Sequence, residues 1–196
     1  MNTILTLAER LREETKTEHA STEKAMMPLL KGSRDKETYS RLLCAMYTYL
    51  KPVEDAIFRK LDTTHLPDQA SRRNMDSMAA DLQAMDARGC TEQKTTDLPQ
   101  INTPAQAFGA LYVLEGSTMG GQIVSQIIRK NMPEDLHHTR YFDSYGDQTR
   151  AMWGRFIASL NAYGEAHPEM HEEVLSAARE TFALFEKHLN AVHQPA

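Results

Sequence analysis

The 196-residue chain has only two cysteines, Cys44 and Cys90, far apart and outside any CxxC pair, which excludes zinc ribbons and thioredoxin-like chemistry. Cys44 falls in an apolar helical run and reads as a small buried hydrophobe. Such cysteine usage suits a reducing setting, so a cytoplasmic protein is expected. No apolar run is long enough to span a bilayer. The first residues lack the basic and apolar regions of a signal peptide, and the C-terminus ends polar, so no membrane partner is expected. Basic residues are in deficit, 22 against 27 acidic, for a net charge of −5, which argues against nucleic acid as a partner. There is no hairpin signal, no convincing strand pair and no internal repeat. A GxSxG elbow, a phosphate loop and an HExxH motif are also missing.

What is there is helical periodicity almost throughout. Tyr39, Leu42, Leu43, Met46, Tyr47, Leu50, Val53, Ile57 and Leu61 follow one helical stripe, with Pro52 expected to bend it. A third helix is expected from about Asp68 to Ala87, closed by Arg88-Gly89. Residues 88–102 read as the longest loop. Thr103-Pro104-Ala-Gln106 is a helix start, with threonine as N-cap, proline in the first turn and glutamine at the capping-box position. A loop over about Met132–Asp143 precedes two further helices, from about Tyr145 and from Pro168. The eleven methionines, scattered at helical spacing as at Met75, Met78 and Met85, read as adaptable core filler. The expectation is an all-α, single-domain bundle of about six main helices over residues 1–196, with no linker dividing it.

Two features of this bundle carry chemistry. In the N-terminal stretch Leu7, Leu11, Thr15, His19 and Glu23 recur every four residues and share one ridge of a helix. His19 is either a satisfied core histidine or the axial ligand of a metal or porphyrin, with Glu23 orienting it. In the fourth helix, Tyr112-Val-Leu-Glu-Gly116-Ser-Thr-Met-Gly120-Gly121-Gln places three glycines where periodicity continues. Each interior glycine costs about 1 kcal/mol relative to alanine, so three cost about 3 kcal/mol against a typical net stability of about 5–15 kcal/mol. Close helix packing is one explanation. A flat ligand against bare backbone, at a kink beside the paired glycines, is the other. A disc held between the imidazole and the glycine helix accounts for both features at once.

These residues resemble the heme (haem) oxygenase family. Leu11-Arg-Glu-Glu-Thr-Lys-Thr-Glu-His19 is similar to its proximal-helix motif and Gly116-Ser-Thr-Met-Gly120-Gly121-Gln to its distal helix. The stretch Tyr39–Ile57, with Ala45-Met-Tyr47, resembles the second helix. Thr149-Arg-Ala-Met-Trp153-Gly-Arg155-Phe156 resembles a later one. The likeness runs from about Leu7 to Leu189 and is greatest to bacterial members, including those associated with bacteriophytochromes. It implies a heme-oxygenase-like bundle with a kinked, glycine-rich distal helix. It also implies an enzyme for which heme b (haem b) is both substrate and cofactor: dioxygen and electrons open the macrocycle to biliverdin, releasing carbon monoxide and ferrous iron. A ferredoxin or an NAD(P)H-dependent reductase would supply the electrons, and a bacteriophytochrome is a candidate receiver of biliverdin.

By that resemblance His19 is the iron ligand with Glu23 behind it, and Gly116, Ser117, Gly120 and Gly121 form the catalytic distal wall. Arg12, Lys16, Tyr112, Arg150 and Arg155 are the candidates for the propionates, each also readable as part of a solvated helix face. Arg155 lies one residue from the position expected, at Gly154. Ser117 stands where mammalian-type members carry an aspartate that anchors water, leaving Ser117, Thr118 or backbone carbonyls to hold it. No histidine or arginine lies between Phe108 and Ile128, so the distal side offers no strong acid of the kind that favours O–O heterolysis. Two other readings stay open: a heme carrier or sensor without turnover, and a non-heme relative such as a thiamin-degrading enzyme. The latter should show a cysteine among acidic residues, a pattern absent around Cys44. His167 and His171 are one turn apart and read as a solvated pair. His137-His138 are expected to be exposed, and His65, His188 and His193 have no evident partner.

Overall fold

A computed structural model describes residues 5–72, 75–87, 89–90 and 95–193, and no strand occurs among them. The helices are α1 (Leu7–Glu14), α2 (Lys16–Gly32), α3 (Lys36–Phe58), α4 (Asp76–Ala84), α5 (Pro104–Gly116), α6 (Thr118–Asn131), α7 (Arg140–Asp143), α8 (Thr149–Ala166) and α9 (His171–His193). These outnumber the six expected because the first and fourth helical patterns are each divided in two and because α7 forms within the Met132–Asp143 stretch expected as a loop; the third pattern is also divided, without adding an α-helix.

The first division falls at Thr15, between α1 and α2. The Thr15 hydroxyl donates to the Leu11 carbonyl at 2.7 Å, beside the backbone bond from the Thr15 N–H to the same oxygen at 3.0 Å. A threonine bonding back on its own helix favours a local bend. The second division leaves only a 3₁₀ turn, Gln69–Ser71, before α4. That helix stops at Ala84, and the left-handed residue beyond it is Asp86, at φ 55°, rather than Gly89. Of the expected Arg88-Gly89 stop, Arg88 lies outside the described residues. The third division, between α5 and α6, falls at Ser117.

The helix start read at Thr103 formed. The Thr103 hydroxyl accepts from the Gln106 N–H at 3.2 Å, and the Gln106 carboxamide accepts from the Asn102 N–H, one residue before the cap. The stripe of α3 is buried as expected apart from the half-buried Tyr47, and the helix runs on through Pro52.

The core is organised around α5. Ala105, Ala107, Phe108, Ala110, Leu111, Val113 and Leu114 are all buried, so this helix is apolar on every side and central, with α3, α8 and α9 around it. Its crossing with α9 is set by Gly109, a glycine that lies outside the Gly116–Gly121 cluster. A Cβ on Gly109 would lie 2.3 Å from the Val174 carbonyl oxygen, so only glycine allows this approach.

Cys44 of α3 and Cys90 form a disulfide, with Cα atoms 5.3 Å apart. This corrects the reading of Cys44 as a lone hydrophobe. A pairing across 46 residues has no spacing signature in sequence, and it removes the cysteine argument for a reducing compartment. No helix among the described residues is long and apolar enough to cross a membrane.

Glu54 joins α3 to the segment before α4. Its buried carboxylate accepts the Met75 N–H at 2.9 Å, with the Lys51 ammonium 3.8 Å away. Burial outweighs both and pushes its pKa up to about 7. A raised carboxyl pKa stabilises the fold below the unfolded value, and that contribution is lost as pH rises through 7. Between pH 5 and 8 the wild type should therefore lose on the order of 2 kcal/mol more stability than Glu54→Gln, measured by urea unfolding at both pH values. Parallel losses in the two proteins would remove Glu54 as the source.

Candidate active site

The site is built on the α2 and α6 helices, which pack against each other. On α2 the ridge expected to face the core divides: Leu11 and Thr15 are buried, whereas His19 and Glu23 are exposed. The break at Thr15 rotates the second half of the ridge outward. The His19 side chain is 55% exposed, its ring rests edge-on against Phe182 of α9 at 5.6 Å, and neither ring nitrogen hydrogen-bonds to a described residue. Glu23 approaches Nε2 at 3.6 Å, outside hydrogen-bond range. For Glu23 to orient the ring through Nδ1, the imidazole must turn about its Cβ–Cγ bond.

On α6 the glycines separate by environment. A Cβ on Gly121 would lie 2.2 Å from the Phe142 carbonyl oxygen, so Gly121 serves the packing of α6 on α7. A Cβ on Gly120 would meet no heavy atom within 4 Å. Gly116 lies between these cases, with the Trp153 ring at ordinary van der Waals range, 3.8 Å. Beside Gly120, Met119 is 44% exposed and Ile123 63% exposed, two of the three large hydrophobic side chains open to solvent among the described residues. An exposed apolar strip flanking bare backbone points to a ligand surface.

The kink expected at Gly120-Gly121 lies instead at Ser117. The Ser117 hydroxyl donates to the Leu114 carbonyl at 2.7 Å, and the Thr118 hydroxyl to the Glu115 carbonyl at 2.6 Å. Ser117 is exposed, so its side chain lies where water can reach it. Thr118 is buried, which withdraws it as a water anchor on the open face.

The cation candidates are all at the surface. Arg12, Arg150 and Arg155 are exposed and none forms an ion pair with a described residue; Arg155 reaches only the Met152 sulfur, at 3.5 Å. Lys16 pairs with Glu13 at 2.6 Å. The Tyr112 hydroxyl sits at the α1–α2 junction. Burial raises its pKa, with Thr15 and Arg12 pulling it the other way.

The histidines outside the site have structural partners. His171 Nε2 is 2.9 Å from the Gly164 carbonyl and His188 Nε2 2.9 Å from that of Ala45, and His65 pairs with Asp62 at 2.8 Å. His137 and His138 are half-buried rather than exposed, because His137 folds back onto the Met132 carbonyl at 3.0 Å. The His193 side chain lies outside the described residues. No group of three or more metal-ligating side chains occurs among the described residues.

Sequence reasoning missed a buried charge cluster behind the α5–α6 break. Arg72 and Glu115, with side chains 1% and 4% exposed, pair at 3.0 Å, and Asp68 and Tyr145 complete the cluster. The available signals were the Asp68…Arg72 spacing of one helical turn and a lone glutamate in the apolar run before Gly116.

An all-α bundle that leaves a half-exposed imidazole, with Glu23 3.6 Å away, and a strip of bare and apolar helix surface open on two neighbouring helices defines a class: helical proteins suited to seat a flat ligand between helices. A family model described as heme oxygenase matches residues 5–191. The heme oxygenase of Xanthomonas campestris pv. campestris is 28% identical over 170 residues, covering 87% of this chain and 99% of that protein. Among solved structures, the NO- and CO-bound heme oxygenase of Neisseria meningitidis superposes with a TM-score of 0.80 at 24% identity, over 96% of this chain and 92% of that one. The heme oxygenase of Leptospira interrogans gives 0.76 at 20% identity, over 95% and 100% of the two chains. That of the cyanobacterium Synechocystis, solved in complex with heme, gives 0.70 at 20% identity, over 96% and 93%. The structural likenesses establish the fold. The family match, spanning nearly the whole chain, establishes that it belongs to the heme oxygenase family.

Proposed function

We propose that this heme oxygenase seats heme between His19 of α2 and the Gly116–Gly120 face of α6 and opens the macrocycle to biliverdin, with release of carbon monoxide and ferrous iron. The observation that carries the reading is the juxtaposition of a half-exposed imidazole, free of hydrogen bonds to described residues, with a neighbouring helix that offers a Cβ-free position and two exposed apolar side chains. An axial ligand, a close wall and apolar contacts are what one porphyrin requires.

Bound heme supplies both the iron that activates dioxygen and the carbon that is oxidised. The protein supplies position. His19 holds the iron from one side and Glu23 fixes the ring once it has turned. Gly120 admits the macrocycle close to the backbone, and Met119 and Ile123 cover its apolar edge. Ser117, exposed beside the break with its hydroxyl donating to the Leu114 carbonyl, is the side chain placed to hold water on the open face. Arg12, Arg150 and Arg155, exposed and without ion-pair partners among the described residues, are the cations available to the two propionates. Electrons come from a ferredoxin or an NAD(P)H-dependent reductase.

The test is titration of the protein with heme, followed by addition of reductant and oxygen. Stoichiometric binding, decay of the Soret band and growth of biliverdin absorbance are the expected result. A stable complex that only autoxidises would assign the protein to heme carriage instead.

A further inference from the structure

The geometry points to Glu115, clamped by Arg72 and Tyr145, as the positioning residue that fixes where the glycine wall stands. This rests on the heme-opening reading above and deepens it, since none of the three residues lies on the open face.

Glu115 immediately precedes Gly116 and closes the last turn of α5. A carboxylate there lies at the negative end of the helix dipole, which is electrostatically unfavourable without a cation. Both carboxylate oxygens are engaged. Oε2 accepts from Arg72 Nη1 at 3.0 Å and Oε1 from the Tyr145 hydroxyl at 2.9 Å. The Glu115 backbone carbonyl accepts from the Thr118 hydroxyl, so the same residue is held from its side chain and across the break.

The arginine carries the restraint outward. Nη1 also donates to the Met152 carbonyl of α8 at 3.0 Å, Nε and Nη2 grip Asp68 at 2.8–3.0 Å, and the guanidinium lies 5.9 Å from the Phe156 ring centroid. Met152 directly precedes Trp153, whose ring backs Gly116. The end of α5, the start of α6 and the first turn of α8 are thus tied at one buried point. Arg150 and Arg155, the α8 candidates for the propionates, lie within three residues of Met152 on the same helix.

A buried ion pair is often no more stabilising than apolar residues of the same volume. Its distinctive property is direction: a planar guanidinium and a carboxylate accept few mutual orientations. That property suits a wall whose distance from a ligand face must be held within fractions of an ångström.

The test compares wild type with Glu115→Gln, which removes the charge opposite Arg72 and leaves one acceptor oxygen where two donors were accepted, and with the milder Tyr145→Phe, which removes one hydroxyl. Circular dichroism of each heme-free protein checks the fold. Hydrogen exchange at the amides of residues 116–121 in the heme-free state should accelerate about tenfold in Glu115→Gln, and less in Tyr145→Phe. On loading with heme, the pH-dependent transition in the visible spectrum of the ferric complex should shift in the same order. Folded variants with unchanged exchange overturn the inference. So does faster exchange with an unchanged ferric spectrum, because the cluster would then serve packing alone. Failure of the wild type to bind heme overturns the reading of function instead, and the exchange measurements still decide whether the clamp holds the break.

Discussion

His19→Ala should leave the heme-free protein as stable as the wild type and remove most of its turnover. The two halves of that expectation come from one geometry. The imidazole is 55% exposed, hydrogen-bonds to no described residue, lies edge-on against Phe182 and has the exposed Glu23 carboxylate 3.6 Å away. Surface substitutions of this kind change stability by about 0.5 kcal/mol or less, so the melting temperature should hold. In the heme complex as proposed, the same ring would be the bond to iron. Its loss should reduce biliverdin formation at least about a hundredfold, or about 2.7 kcal/mol of barrier, and shift the ferric spectrum away from that of a histidine-ligated heme. Free imidazole should restore part of that spectrum by filling the vacated position. Glu23→Gln should act more weakly, since it alters the support of the ligand and not the ligand. Unchanged turnover in His19→Ala with a biological electron donor would place the iron on another side chain. A collapse of the heme-free fold would return His19 to the core.

The order of helices and the two chemical motifs could be read from the chain because they depend on local periodicity and on residue types that stand out. The Thr103-Pro104 start, the α3 stripe and the coincidence of His19 with a glycine cluster are of this kind. What could not be read depends on which way a helix turns after a break. Thr15 looks like one more ridge position, yet its hydroxyl bonds back to Leu11, and beyond the break the ridge faces solvent. The same holds at Ser117, where two hydroxyls bonding back to carbonyls move the break three residues ahead of the paired glycines. Long-range pairings were equally silent. Cys44 with Cys90, Arg72 with Glu115 and Gly109 with Val174 are each close only because the bundle is assembled.

Two adjacent glycines that sequence periodicity treats alike should respond oppositely to substitution. Gly121→Ala forces a Cβ to within 2.2 Å of the Phe142 carbonyl oxygen, and a backbone oxygen yields only by moving α7. That segment is itself held, by the Tyr141 N–H on the buried Asp81 carboxylate at 3.0 Å and by the Tyr39 hydroxyl on the His138 carbonyl at 2.6 Å. Overpacking against so fixed a neighbour costs about 1–3 kcal/mol, which in a domain of this size lowers the melting temperature by about 2–10 °C. Gly120→Ala meets no atom within 4 Å and replaces a poor helix former, so the heme-free protein should gain up to about 1 kcal/mol. The same side chain occupies the space proposed for the porphyrin face. Gly120→Leu, larger still, should therefore weaken heme binding by about tenfold or more, equivalent to about 1.4 kcal/mol, and change the proportions of bilin isomers. Calorimetry of the heme-free variants and heme titration of the same samples separate the two effects. A Gly120→Leu protein that binds and opens heme as the wild type does would move the wall to another part of α6, while a Gly121→Ala protein of unaltered stability would show that α7 gives way more easily than its hydrogen bonds imply.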